Sequence, residues 1–149
     1  MALSLRYEEV VKRFLAHGTT TVNYFGTCHL EGTKRLATIC DRLGQRAVIG
    51  RVSMDQYTTE KMKRDVHTDL FETTALVDFI TRNCSNRIMP SIIPRFSPTC
   101  THNFFKDQLR VFLEFWPKMH FLAKIFLSRY LDVYQSYGHD FLFRLRLRS

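Results

Sequence analysis

Apolar residues recur at two different spacings along the first hundred positions, and the switches between them mark out elements. From Tyr7 to Ala16, Val10, Val11, Phe14 and Leu15 fall at helical spacing, and His17-Gly18 supplies a stop. The β-branched and aromatic run from Thr19 to Phe25 predicts a strand buried on both faces and closed by Gly26. Leu36, Ile39, Cys40 and Leu43 then return to helical spacing, so Leu30 to Leu43 reads as a helix ending at Gly44. Arg46 to Val52 is a second short, mostly apolar strand, and Asp55 to Asp65 a charged loop. Leu70, Thr74, Val77, Ile80 and Thr81 define a third helix ending near Asn83, and Ile88 to Ile93 a third strand.

Strands alternating with helices over short connections favour right-handed βαβ units around a parallel sheet, in an α/β barrel or an open doubly wound sheet. Three strands do not close an eight-stranded barrel, so the fold class is α/β, a partial (β/α)8 TIM-barrel segment with open edges. The pattern changes near Asn103. Phe104 to Leu127 predicts a helix, kinked near Pro117, and Phe126 to Tyr137 continues it or forms another. Phe141 to Arg148 alternates apolar and basic residues, as an edge strand or an unstructured basic terminus. The chain therefore divides into a partial barrel region, 1–103, and an atypical, mainly helical tail, 104–149.

Composition supports one folded unit: 45% of the 149 residues are hydrophobic and 24% charged, against disorder, a collagenous repeat or a coiled coil. The net charge of +8 is shared equally between the first 103 residues and the final 46, and those 46 also hold 12 of the 20 aromatic residues. A basic, aromatic tail suits an acidic partner, nucleic acid or a membrane surface, or packing against the open half-sheet; nothing in it points strongly to nucleic acid or membrane. Cys28, Cys40, Cys84 and Cys100 form no Cys-x-x-Cys pair, which predicts free, buried thiols in a reducing, cytoplasmic setting. The N-terminus has no long apolar stretch, and Glu114, Pro117, Lys118 and Lys124 interrupt the most apolar part of the tail.

Candidate chemistry is sparse. None of the six histidines forms a His-x-His or His-Glu-x-x-His arrangement, and the chain has no phosphate loop, no Gly-x-Ser-x-Gly elbow and no Pro-Cys-x-x-Cys. Cys28-His29 follows a strand, but adjacent residues there usually point opposite ways, so a capping or core role fits better than metal ligation. Pro94-Arg95-Phe96 sits just beyond the third strand, where α/β folds collect ligand-binding groups. Arginine supplies planar donors and phenylalanine an apolar face, together able to hold a flat heterocycle. The same spacing also suits a surface arginine beside a buried phenylalanine.

The run Leu15 to Phe25, with Leu43 to Ala47 and Gly50-Arg51-Val52-Ser53-Met54-Asp55, resembles the guanine deaminases of the amidohydrolase superfamily, fungal forms above all. Pro94 to Cys100 resembles that family's next ordered segment, so the resemblance covers about residues 7–103. It implies a zinc-containing (β/α)8 barrel, hydrolysis of guanine to xanthine and ammonia in purine catabolism, and a guanine-binding pair at Arg95 and Phe96 that does not itself perform the chemistry. The family's first-strand His-x-His pair precedes the region where this chain begins. Its later His-x-x-Glu motif has no match, because His120 is followed by Phe121-Leu122-Ala123. No metal ligand and no catalytic residue carries over. The expectation is a chain that alone deaminates little or no guanine, as a truncated or frame-altered product would. The alternative is a non-catalytic fragment that binds a homologue, itself as a homo-oligomer, or an acidic partner.

Overall fold

Helix α1 (Ala2–Ala16) leads into β1 (Thr21–Phe25), α2 (Leu30–Arg42), β2 (Arg46–Ser53), α3 (Val66–Asn83), β3 (Ile88–Pro94) and α4 (His102–Phe115) in a computed structural model of the chain. The structure describes residues 2–57, 59, 65–95 and 99–115. The three strands form one parallel sheet in the order β1-β2-β3, with Tyr24 beside Ile49 and Arg51 beside Ile92. Two consecutive βαβ units are therefore present, as the alternating pattern predicts. The expectations for Pro117, for 126–137 and for 141–148 lie outside the described residues, and α4 is the described part of the helix expected from Phe104.

Tyr7, Val11 and Leu15, four residues apart on α1, pack against a core of Leu36, Ile39 and Cys40 from α2, Ala47 and Ile49 from β2, Leu76 and Ile80 from α3, and Ile88 from β3. A second, smaller cluster joins Val77, Ile92, Val111 and Phe112, and attaches α4 to α3 and β3. Because side chains alternate across a strand, Ala47, Ile49, Arg51 and Ser53 face the helices, with Ile88 and Ile92 beside them. The first turns of α1 lie upstream of the predicted start because Leu5 is exposed, and periodicity does not register a turn that buries nothing.

Two helices end in the same way. Gly44 takes φ 77°, its N–H donating to the Asp41 carbonyl at 3.1 Å while the Gln45 N–H donates to the Cys40 carbonyl at 3.0 Å. Gly18, at φ 79°, repeats this after α1, with Thr19 donating to Phe14 at 2.8 Å. Both are Schellman closures, which need a left-handed residue that glycine adopts without steric cost.

One expectation is corrected. β1 is not buried on both faces: Val22 and Tyr24 are half-buried toward the helices, while Thr21, Asn23 and Phe25 are exposed. It is an edge strand of the described sheet, and a β-branched, aromatic run does not distinguish an edge from a centre. Two-sided burial belongs instead to β2 and β3, where Val48 and Ile93 on the face away from the helices are as inaccessible as Ile49 on the other. The four cysteines are free thiols, three of them buried and Cys84 half-buried.

Candidate functional site at the strand ends

The carboxyl ends of the three parallel strands lie side by side, and Arg95 stands at this edge, immediately after β3. Its backbone N–H donates to the Ser53 carbonyl at 3.0 Å, and its guanidinium Nη1 lies 3.4 Å from the Met54 sulfur. Arg95 and Met54 thus share the sheet face away from the helices. Arg95 is exposed, so its planar donors remain within reach of a ligand at the strand ends. Phe96 lies outside the described residues, which leaves Arg95 as the member of the expected pair whose surroundings are defined.

The segment that carries Arg95 is fastened at both ends to the end of β2. After it, the Thr99 carbonyl accepts the N–H groups of Asp55 and Gln56, each at 3.2 Å. The Cys100 thiol donates to the Ser53 carbonyl at 3.6 Å. The Asp55 carboxylate then accepts from Thr101 twice, from its N–H at 2.7 Å and its hydroxyl at 2.5 Å, and the Thr101 hydroxyl accepts the Phe104 N–H at 3.3 Å. Thr101 is thus the N-cap of α4, and Asp55 places a negative charge at that helix's positive end.

Beneath the edge, on the helix side, sits a buried group that spacing did not expose. Arg51 is fully buried. Its Nη1 donates to the Cys28 carbonyl at 3.0 Å and lies 3.2 Å from the Glu72 carboxylate. Its Nη2 pairs with the Asp69 carboxylate and donates to the Asp69 carbonyl at 2.8 Å, with the Ser53 and Thr73 hydroxyls at 3.4 and 3.2 Å. The second Asp69 carboxylate oxygen accepts from Gln108 Nε2 of α4 at 2.5 Å. Burial pushes the Asp69 carboxyl above its usual range, and the Arg51 guanidinium opposes that rise. Arg51 falls within the apolar β2 run and Asp69 one residue before Leu70, so only the oddity of a charge at core-facing positions marked them in the sequence.

Cys28 and His29 take the roles expected of a core and a capping position. Cys28 is buried, with its carbonyl on Arg51, and His29 is the N-cap of α2, its carbonyl accepting the Thr33 N–H at 3.2 Å. Among the described residues no three His, Cys, Asp or Glu side chains gather into a group able to hold a metal ion. Those residues therefore do not fit the zinc centre that the resemblance implies, and no chemical step is assigned to one here. His120 lies outside the described residues. Among the described residues no helix is long and apolar enough to cross a membrane.

The amidohydrolase family model matches residues 2–115. The chain is 39% identical over 107 residues to guanine deaminase of Dictyostelium discoideum, a match spanning 72% of this chain and 23% of that protein. It is 38% identical to the rat guanine deaminase over 68% of this chain and 22% of the other, and 36% identical to a probable guanine deaminase of Schizosaccharomyces pombe over 65% and 19%. The chain thus spans about a fifth to a quarter of the length of these relatives. Its structure superposes on a crystal structure of guanine deaminase from C. acetobutylicum with guanine bound in the active site, with a TM-score of 0.72 at 25% identity, covering 76% of this chain and 27% of that one. A parallel βαβ sheet and a family match over residues 2–115 lead to one conclusion: this chain belongs to the amidohydrolase family.

Proposed function

We propose that the chain forms the guanine-holding part of a guanine-deaminase barrel, with Arg95 the residue that orients the purine. The observation that carries this reading is the position of Arg95, exposed at the carboxyl end of β3, its backbone fixed to Ser53. Guanine offers adjacent acceptors, O6 and N7, on one edge, and a guanidinium is the side chain whose paired donors match them. Phe96, next in sequence, would supply the apolar face for stacking, as the resemblance implies. The buried thioether of Met54 packs against the Arg95 guanidinium and helps fix its direction. The similarity of the chain to guanine deaminases, one of them with guanine bound, supports guanine as the ligand.

The resemblance implies a zinc ion that would supply the water-derived nucleophile for the hydrolysis. Binding by Arg95 and Phe96 does not replace that nucleophile, so on this reading the 149-residue chain alone holds guanine and does not turn it over. Closure of a (β/α)8 barrel, a boundary between barrel region and tail near residue 103, a role in purine catabolism and a cytoplasmic location belong to the same proposal. The free thiols support a reducing compartment.

The test is calorimetric titration of the chain with guanine beside Arg95→Ala, with xanthine formation followed by ultraviolet absorbance with and without added zinc. Saturable binding that weakens about tenfold or more in Arg95→Ala supports the proposal, since a charge-assisted hydrogen bond contributes on the order of 1.5–3 kcal/mol. Affinity equal in the two proteins would remove Arg95 from the site. Zinc-dependent xanthine formation would overturn the claim that the chain binds without turnover.

A further inference from the structure

Arg51 lies on the helix side of the sheet, opposite the face of Arg95, yet it contacts segments that frame the strand ends: the β1–α2 loop through the Cys28 carbonyl, the end of β2 through the Ser53 hydroxyl, and α3 through Asp69, Glu72 and Thr73. Asp69 passes the connection to α4 through Gln108. Ser53 is the point at which this network meets the site, because its carbonyl accepts both the Arg95 N–H and the Cys100 thiol. We propose that Arg51 is the positioning residue of the guanine site: by fixing Ser53, the β1–α2 loop and α3 from below, it sets where the Arg95 backbone sits at the strand ends.

This inference rests on the reading of Arg95 as a guanine-binding residue, and it separates positioning from stability by chemistry. A guanidinium holds its donors in a fixed plane, and here Nη1 and Nη2 reach backbone and side-chain acceptors on separate segments at once, while Nε has no hydrogen-bond partner among the described residues. An apolar replacement fills the volume and makes none of these bonds. A fully buried ion pair also contributes less to stability than its contacts suggest, since desolvation offsets the attraction, and neutral replacements of both partners are often tolerated. Removing both charges of this pair therefore restores stability without restoring the bonds to Cys28 and Ser53, and Glu72, the third charge at the guanidinium, is 19% exposed and so less costly to leave unpaired than Asp69.

The experiment compares the full chain with Arg51→Met, the double variant Arg51→Met with Asp69→Asn, and Arg51→Lys. Three quantities are measured: thermal stability, guanine affinity by calorimetry, and amide hydrogen exchange at Arg95 and Ile49 by NMR. Arg51→Met is expected to be strongly destabilised, and the double variant to regain most of that stability. In the double variant guanine affinity stays about tenfold weaker than wild type, the size expected for a site displaced by the loss of supporting hydrogen bonds. The Arg95 amide exchanges about tenfold faster there, while Ile49 in the middle of β2 keeps its protection. Arg51→Lys, which keeps the charge and loses the fork, falls between wild type and the double variant in affinity. Recovery of guanine affinity and Arg95 protection together with stability in the double variant would show that Arg51 only stabilises the fold, and would overturn the proposal. If the wild-type chain binds no guanine, the functional reading fails on its own, and Arg95 exchange in the double variant still decides whether Arg51 positions the strand ends.

Discussion

The two ends of the sheet are held together by different physics. Around Ile49, Leu76 and Ile80 the contacts are mainly apolar side chains from α1, α2, α3 and the sheet, with buried Gln45, accepting from the Tyr24 hydroxyl and donating to the Thr19 carbonyl, a polar exception, and the stabilisation scales with area removed from water, roughly 25 cal/mol per Å2. Two residues further along β2 and two turns back along α3, in the same layer, the centre of the packing is Arg51 and Asp69, with Gln108 arriving from α4. Burial of apolar area is non-directional and fixes no angle between its partners. Hydrogen bonds of fixed geometry hold one arrangement, and the molecule uses them beneath the strand ends, where the Ser53 carbonyl accepts the Arg95 N–H.

The sharpest way to break this contrast is to remove one charge. Arg51→Met leaves the Asp69 carboxylate buried without its partner, and about 3–5 kcal/mol of stability is lost in denaturant titration near neutral pH. Burial already raises the Asp69 pKa, and loss of Arg51 raises it further, so the folded variant holds a proton that the unfolded chain releases. Folding then gains from low pH. The deficit is smallest at acid pH and grows as pH rises through the folded-state value, with Glu72 the other acid facing the same guanidinium. Leu76→Ala, at the apolar end, loses about 2–5 kcal/mol by opening a cavity, and that loss is the same across the acid range. A pH-independent deficit in Arg51→Met would erase the distinction between the two ends.

How much of this was legible in the sequence follows the same division. The apolar end writes itself into spacing: Leu36, Ile39, Cys40 and Leu43 repeat with the helix, and Gly44 marks its end, so α2, β2, α3 and β3 lie where periodicity puts them. The polar end does not. Arg51 interrupts an apolar run by one residue, and its bonds to Cys28, Ser53 and Asp69 join positions far apart in the chain that no local window connects. β1 was legible as a strand and not as an edge, because its place in the sheet depends on pairing that composition does not encode. Arg95 was legible through its place after a strand and through the family resemblance, while its attachment to Ser53 was not.

A smaller effect sharpens the apolar end. Gly44→Ala must hold a side chain at φ 77°, which costs on the order of 1–2 kcal/mol while leaving the polar end untouched. The same end also sets an alkaline limit. Burial raises the Cys40 thiol to about 12, and it raises Tyr24 to about 12, with the nearby Cys40 adding to the rise. Both groups ionise in the unfolded chain at lower pH than in the folded one. Their contribution is therefore complete below pH 9, the ordinary thiol value, and is lost progressively as pH rises toward 12. Cys40→Ala should reduce the slope of stability against pH above 9 in thermal scans, even though it lowers stability at neutral pH.

Whether this chain holds guanine through Arg95 is read most directly from its affinity for guanine before and after Arg95→Ala, with xanthine formation followed in the same samples. Saturable binding in the wild-type chain, about tenfold or greater weakening in the variant, and no xanthine from either are expected. Binding that ignores Arg95, or guanine turnover by the chain alone, would contradict the proposed function.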